Sequence, residues 1–165
     1  MKHELLIKML ENYGSTIVKS RAHDIDEQER FPLETVAELG RYGLLGLPFP
    51  ESLGGVGADT KAYIDAVRIL SKYCATTGVI VSAHTSLCSH PIYVYGSDAQ
   101  KSKYLPKLNQ GIYLGAFGLT EAGAGTDASS QQTKAIDCGD YYEITGNKIF
   151  ITNAGYADVY IIFAM

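Results

Sequence analysis

The first 113 residues show the spacing of amphipathic helices. Near the N-terminus, apolar side chains recur at intervals that place them on one face of a helix. The same spacing returns further along the chain, and together these runs predict about five helices before the sequence pattern changes. The positions that define the first helix face are Leu6, Met9, Leu10, Tyr13 and Ile17.

Residues that begin or end helices divide this part of the chain. Gly43 follows an apolar helical pattern and is a plausible C-terminal stop. Ser97, with Gln100 three residues later, has the spacing of a capping box and should open the last of these helices. Pro91 is expected to end or kink the helix that precedes it, because proline lacks the amide hydrogen.

Beyond residue 113 the pattern changes to short runs rich in β-branched and aromatic residues. Glycine, asparagine and aspartate separate these runs, as in the turns between paired strands. This alternation predicts antiparallel β-structure. The expected strands are Tyr113–Leu119, Gln131–Ile136, Tyr141–Thr145, Lys148–Ile151 and Asp158–Met165.

The two patterns together predict an α+β fold in two parts. Residues 1–113 should form an N-terminal all-α domain, and residues 114–165 the start of an antiparallel β-barrel or sheet domain. The last run, VYIIFAM, has no turn or polar tail behind it. Since an unpaired apolar edge strand invites aggregation, we expect the chain to be truncated inside the second domain.

Composition and charge exclude several classes of binding partner and site. The formal charge is −4 and the 14 lysines and arginines are scattered, so a nucleic-acid partner is not expected. No signal peptide is recognisable, and no uncharged run approaches the roughly 20 apolar residues of a membrane span. The three cysteines are widely spaced, which predicts small buried residues in a reducing cytoplasm. No histidines pair at a metal-ligand spacing, so no metal site is expected.

The stretch from Gly115 to Asp127, GAFGLTEAGAGTD, carries most of the functional signal. Its second half is a glycine-rich loop with hydroxyl groups, of the kind whose amides can hold a phosphate; a plain turn remains the alternative. GAGTDA also fits a loose dinucleotide pattern, with Glu143 about 20 residues on. A nicotinamide fold is disfavoured because those glycines should open a helix, whereas a strand is predicted next.

A second stretch, KIFITN from Lys148 to Asn153, strengthens the case for a ligand site. Phe150 could cover a planar ring while Thr152 offers a hydroxyl group and an amide at its edge. A core phenylalanine followed by an ordinary turn is the alternative that local chemistry leaves open.

The chain as a whole resembles the acyl-CoA dehydrogenases. GLLGLPFPESLGGVGAD is similar to the loop between that family's N-terminal helices, and HPIYVYGSDAQKSKYLPKL to its later helices. AFGLTEAGAGTD and NKIFITNAGYADVYIIFAM resemble its two flavin-binding signatures, and CATTG with SAHTSL is most similar to short-chain, butyryl-CoA-type members.

The resemblance implies an FAD enzyme of fatty acid metabolism that desaturates an acyl-CoA thioester between its α and β carbons. A carboxylate would remove the α proton, the β hydrogen would leave as hydride to flavin N5, and an electron-transfer flavoprotein would accept the electrons. By motif position, the residues implied to bind the cofactor are Phe117, Leu119, Thr120, Gly125, Thr126, Phe150, Ile151 and Thr152.

The resemblance also implies substrate contacts and an assembly. Thr126 would reach the CoA part of the substrate, while Ala83 and Leu87 would line the acyl-chain pocket or simply pack between helices. The family's catalytic glutamate has no counterpart in this chain, and Glu121 is better read as a structural acid than as a substitute base. The chain alone is therefore expected to be inactive, and its parent to be a homotetramer.

Four readings of the function remain open. The parent could work as a dehydrogenase or as an enoyl-CoA reductase. The chain itself could bind FAD or acyl-CoA without turnover, or it could be a structural piece that self-associates through an open β edge.

Overall fold

The computed structural model describes residues 3–165, and its first two thirds are helical. A 3-10 turn, Glu51–Leu53, lies in the long loop between the third and fourth helices. The helices are α1 His3–Tyr13, α2 Lys19–Glu27, α3 Leu33–Arg41, α4 Thr60–Tyr73, α5 Ala75–Ser82, α6 His90–Tyr95 and α7 Asp98–Asn109.

Two π-helical segments join neighbouring helices into longer ones. Gly14–Val18 joins α1 to α2, and Ala83–Ser89 joins α5 to α6, which leaves five helical stretches as the periodicity predicts. Pro91 is expected to end or kink its helix, but the helix does not end there, since α6 continues to Tyr95. Pro91 stands in the first turn after the π-helical segment, where a missing amide hydrogen is tolerated.

The predicted Ser97 capping box and Gly43 stop are confirmed. The Ser97 hydroxyl accepts from the Gln100 amide, and the Gln100 side chain accepts from the Ser97 amide, which completes the capping box. Gly43 follows the end of α3 with a φ of 71°, a left-handed conformation that suits glycine. Asp59 caps α4 by accepting the Ala62 amide hydrogen at 2.7 Å.

The main hydrophobic core lies among the helices. Burying these side chains is the main force that holds the helical domain together, because each removes apolar surface from water. No helix within residues 3–165 is both long enough and apolar enough to cross a membrane. The largest fully buried apolar side chains are Phe49, Leu6, Leu10, Leu39, Leu44, Leu45, Leu47, Ile69, Leu70, Leu105 and Leu108.

Two small sheets follow the helices. In one sheet, β2 (Lys134–Asp137) and β3 (Tyr142–Thr145) are antiparallel, as predicted. In the other, β1 (Gly115–Gly118) and β4 (Val159–Ile162) are parallel, so the expectation of antiparallel pairing is wrong for this pair. Residues 119–158 separate the two strands, and a connection of that length allows a crossover that a short hairpin turn does not.

The strand expected over Lys148–Ile151 does not form. This segment is irregular, and Phe150 has a φ of 56°, which is incompatible with a strand. The strand expected from Gln131 begins only at Lys134. The amides of Gln132 and the next residue donate to the Glu121 carboxylate instead of joining a ladder.

The parallel sheet packs directly against the helical domain. Val159 and Ile161 contact a buried cluster formed by Cys88, Ile92, Leu105 and Leu108. The α+β fold class is confirmed, with a helical domain followed by two small sheets.

The cysteines only partly follow the expectation that they are buried. Cys74 and Cys88 are buried, but Cys138 is exposed in the turn between β2 and β3. A two-stranded antiparallel sheet leaves its turn in solvent, so a small apolar residue there has nothing to pack against.

We predict that Gly115→Ala destabilises the chain by about 1–3 kcal/mol, because a Cβ atom there would lie 2.5 Å from the Cys88 Cβ atom and 2.6 Å from its Sγ atom. Gly123→Ala is the matched control, since no atom lies within 4 Å of a Cβ atom at that position. Its effect should stay within about 1 kcal/mol. Urea unfolding of both variants checks the difference, and equal midpoints would contradict the close packing of β1 on the helix.

Candidate functional site

The two stretches singled out in the sequence lie side by side. The Ile149 amide donates to the Thr120 carbonyl oxygen at 2.9 Å, which joins the backbones of the two segments. The Lys148 ammonium group donates to the Leu119 carbonyl oxygen at 2.8 Å. The segments 115–127 and 148–153 therefore form one paired surface, although about 20 residues separate them in sequence.

Glu121 is the anchor of this pairing. Its carboxylate forms an ion pair with the Lys148 ammonium group at 2.8 Å, and each side chain is only 9% exposed. It also accepts the amide hydrogens of Gln132 at 2.6 Å and Thr133 at 2.9 Å, together with the Thr133 hydroxyl. The Lys148 ammonium and these hydrogen bonds lower the pKa of Glu121 to about 2.

A carboxylate held in this way is a structural acid and not a general base. Its lone pairs are occupied by donors, and its low pKa makes it a weak proton acceptor near neutral pH. The reading of Glu121 favoured by the sequence is therefore the one that the structure supports. Lys148 also donates to the Gln131 side-chain oxygen at 3.0 Å, so its three donors all have acceptors.

A second set of bonds joins both segments to the helical domain. The Gly115 amide donates to Nδ1 of His84 at 3.0 Å, and the Asn153 side-chain amide donates to the Gly115 carbonyl oxygen at 2.9 Å. His84 is completely buried, and burial lowers its pKa to about 4. His90, at the start of α6, is exposed.

The residues of the first signature differ in exposure. Phe117, Leu119 and Thr120 are half-buried at and after β1, whereas Gly125 and Thr126 lie in an exposed loop. Open space adjoins both Gly123 and Gly125, since a Cβ atom built on either would meet nothing within 4 Å. The loop can therefore be approached closely by a ligand, which is one use of glycine at such positions.

The residues of the second signature present an aromatic ring to solvent. Phe150 is 89% exposed, while Ile151 and Thr152 are half-buried. Phe150 and Asn153 both have left-handed backbone conformations, with φ of 56° and 71°. Such conformations cost of order 1–3 kcal/mol in residues other than glycine, and they concentrate at binding and active sites.

Two of the three positions predicted to contact substrate, Ala83 and Leu87, lie on the long helix formed by α5, the Ala83–Ser89 segment and α6. Ala83 is buried against neighbouring residues, whereas Leu87 is 43% exposed. Thr152 lines a cavity of about 590 Å³ together with Thr76, Val79 and Tyr156. The roles given to Ala83, Leu87 and Thr126 stay predictions.

Sequence reasoning missed the contacts by which Lys148 and Asn153 join the two segments to each other and to the helical domain. The signal for Lys148 was a single lysine at the start of an otherwise apolar run, which needs an acid when it is buried. The sequence predicts a turn at Asn153, and asparagine is one of the few residue types that readily adopt the left-handed conformation found there.

The arrangement suits a ligand with a phosphate group and a planar ring. The open glycine loop and Thr126 can face an anion, and Phe150 offers an uncovered ring. Within the part of the chain that the structure describes, no three His, Cys, Asp or Glu side chains come together as a metal site would require.

We predict that Glu121→Gln destabilises the chain at neutral pH and that this deficit shrinks as the pH falls. Glu121 has a folded pKa of about 2 and an ordinary unfolded pKa of about 4.3. Its stabilising contribution is therefore complete above about pH 4.3 and is lost as the pH falls toward about 2. Urea unfolding across this range measures the effect.

The control for this prediction is Glu143→Gln, at an exposed position in β3. That variant should show almost no deficit at any pH. A Glu121→Gln deficit that is the same in acid and at neutral pH would contradict the charged pairing with Lys148.

Comparison with known proteins agrees with the resemblance drawn from the motifs. The model of the acyl-CoA dehydrogenase N-terminal domain matches residues 1–112, and that of the acyl-CoA dehydrogenase middle domain matches residues 116–165. The short-chain specific acyl-CoA dehydrogenase of Clostridium acetobutylicum is 52% identical over 99% of this chain and 43% of its own length. The 3-(aryl)acrylate reductase of Clostridium sporogenes is 37% identical over 99% of this chain and 43% of its own length.

Solved structures match equally well. Butyryl-CoA dehydrogenase from Megasphaera elsdenii superposes with a TM-score of 0.94 and 43% identity, over 99% of this chain and 44% of that one. A structure from work on the electron transferring flavoprotein of Acidaminococcus fermentans superposes with a TM-score of 0.95 and 42% identity, over 99% of this chain and 43% of that one. An acyl-CoA dehydrogenase from Bacillus anthracis complexed with FAD superposes with a TM-score of 0.91 and 33% identity, over 99% of this chain and 28% of that one.

The chain spans less than half the length of these relatives. Within that span the agreement is continuous, because the two family models together leave only a few residues between them unmatched. The chain therefore belongs to the acyl-CoA dehydrogenase family.

Proposed function

We propose that this chain forms the FAD-binding part of an acyl-CoA dehydrogenase that converts a short-chain acyl-CoA into the α,β-enoyl-CoA. The observation that carries the proposal is the pairing of segments 115–127 and 148–153 through Lys148, Glu121 and the Ile149 amide. The short-chain specific relative from Clostridium acetobutylicum supports the choice of substrate.

The residues present fit a flavin dinucleotide. Phe117, Leu119 and Thr120 would lie along the flavin, with the Thr120 hydroxyl hydrogen-bonded to its ring. Phe150, Ile151 and Thr152 would pack against the isoalloxazine from the other side, and the exposure of Phe150 leaves its ring free for this contact. Gly125 and Thr126 would meet the pyrophosphate, where open space adjoins the loop.

FAD supplies the chemistry that the side chains lack, since bound flavin can accept a hydride from the substrate β carbon. The chain's own contribution is to orient the ring and to present amides and hydroxyls near its edge, where charge builds up on reduction. Thr126 would also contact the CoA portion, and Ala83 with Leu87 would adjoin the acyl chain.

The proton from the α carbon needs a base that residues 3–165 do not offer at this surface. The first signature contains two carboxylates, and both are already hydrogen-bonded. Glu121 is bonded to Lys148, Gln132 and Thr133. Asp127 accepts from the Ser129 and Ser130 hydroxyls, which lower its pKa. We therefore place the general base outside this chain's described residues. An electron-transfer flavoprotein would take the electrons, and the whole enzyme would be a cytoplasmic homotetramer.

The reverse reaction is a second candidate. The relative from Clostridium sporogenes is called a 3-(aryl)acrylate reductase, and it covers the same span of sequence. The residues that would hold the flavin are the same for either direction, because a bound flavin would supply hydride transfer both from and to the substrate. Measuring whether butyryl-CoA reduces the flavin or crotonyl-CoA reoxidises it faster distinguishes the two.

We predict that the chain binds FAD and that Phe150→Ala weakens this binding by about two- to twelvefold, since stacking on an aromatic ring contributes about 0.5–1.5 kcal/mol. Tyr141→Ala removes a similarly exposed aromatic side chain beside β3 and should leave the affinity unchanged. Titration of FAD fluorescence gives both dissociation constants. A chain that binds no FAD would refute the proposed function.

The reaction itself is tested with a protein of the relatives' length that contains this sequence. Butyryl-CoA added without oxygen should bleach its flavin absorbance, whereas the 165-residue chain loaded with FAD should stay yellow. Bleaching of the chain alone would contradict the assignment of the base to a region outside it.

A further inference from the structure

Both backbone polar groups of Gly115 are bonded to side chains that come from outside its sheet. His84, on the long helix, accepts the Gly115 amide hydrogen, and Asn153, at the end of the second signature, donates to the Gly115 carbonyl oxygen. Gly115 is the first residue of β1, and so it leads into the first signature. These three residues form what we call the His84–Gly115–Asn153 bridge.

His84 uses both ring nitrogens in the bridge. Since Nδ1 accepts the Gly115 amide hydrogen, the ring proton must be on Nε2, which donates to the Leu108 carbonyl oxygen at 3.2 Å. The side chain is completely buried. It thereby holds the end of α7, the long helix and the start of β1 in one arrangement, without any exposed or unpaired atom on the ring.

Asn153 connects the bridge to the second signature. Its side-chain amide donates to the carbonyl oxygens of Gly115, at 2.9 Å, and Ile80, at 3.4 Å. It does so at a cost, because its backbone φ is 71° and its buried Oδ1 has no hydrogen-bond partner within residues 3–165. Glycine at this position would avoid both costs but would forgo both hydrogen bonds, so the net stabilisation from the asparagine side chain is small.

We propose that His84 and Asn153 are positioning residues that fix the two flavin segments at one separation and orientation on the helical domain. The inference rests on the proposed FAD function and deepens it. Through Gly115 the bridge sets where Phe117 and Thr120 lie, and through Asn153 it sets the adjoining Thr152 and Phe150. His84 and Asn153 are both buried, so we assign neither a direct contact with the flavin. Each would act through the residues that it holds.

The first test needs no flavin. His84→Leu removes both ring hydrogen bonds, so hydrogen exchange of the Gly115 amide should accelerate about tenfold or more. Thr85→Val is the matched control, because Thr85 is the neighbouring buried residue and its hydroxyl donates to the Leu45 carbonyl oxygen inside the helical domain. Equal exchange of Gly115 in the two variants would overturn the proposal.

The second test uses Asn153→Gly, which should fold even if His84→Leu does not. The substitution removes two hydrogen bonds, but it also removes the unpaired oxygen and relieves the left-handed backbone. The urea midpoint should therefore stay close to that of the unsubstituted chain, while the dissociation constant for FAD rises about tenfold. If Asn153 were merely structural, the flavin affinity would fall only as far as the urea midpoint fell.

The outcomes separate this inference from the proposed function. If the unsubstituted chain binds FAD and Asn153→Gly binds it equally well, the positioning role is refuted and the flavin function stands. If the unsubstituted chain binds no FAD, the proposed function fails and the positioning role fails with it. Exchange of the Gly115 amide then still shows whether His84 holds β1.

Discussion

The candidate site depends on the buried ion pair between Lys148 and Glu121. Both side chains are almost fully removed from water, which is costly for charged groups unless other donors and acceptors compensate. Here the compensation is complete: the ammonium group has three acceptors, and the carboxylate has four donors from three residues. Such a pair tolerates one alignment of the segments, because a shift by one residue would leave a buried charge without a partner.

The position of the site on the molecule depends on a different contact, the approach of β1 to the long helix. Gly115 lies so near Cys88 that only glycine fits, and Val159 and Ile161 of β4 pack on the same cluster. Apolar burial holds the sheet on the helices, and the His84–Gly115–Asn153 bridge sets its alignment. Apolar burial, which does not depend on orientation, and hydrogen bonding, which does, thus act on the same few residues.

The sequence predicted what local chemistry decides. Helical spacing, the Ser97 capping box and the Gly43 stop depend on neighbours within one or two turns, and all three are confirmed. The grouping of the two signatures into one surface was also accessible, since each carried residues of a recognisable type. The chemistry of Glu121 could be weighed correctly because an acid inside a binding loop is more often structural than catalytic.

Features set by distant contacts could not be predicted. The parallel pairing of β1 with β4 requires a crossover of residues 119–158 that no local pattern indicates. KIFITN has the composition of a strand, yet the bonds from Lys148 and Asn153 hold it in an irregular conformation with Phe150 at positive φ. Tertiary contacts outweigh strand propensity here, because the propensity differences amount to only about 1 kcal/mol.

The central claim is that two segments separated in sequence form one flavin surface, and amide chemical shifts test it most directly. Titrating FAD into the isotopically labelled chain should move the amide signals of residues 117–127 and 148–153 together, with a single affinity. Shifts confined to one segment, or concentrated elsewhere on the helical domain, would contradict the account.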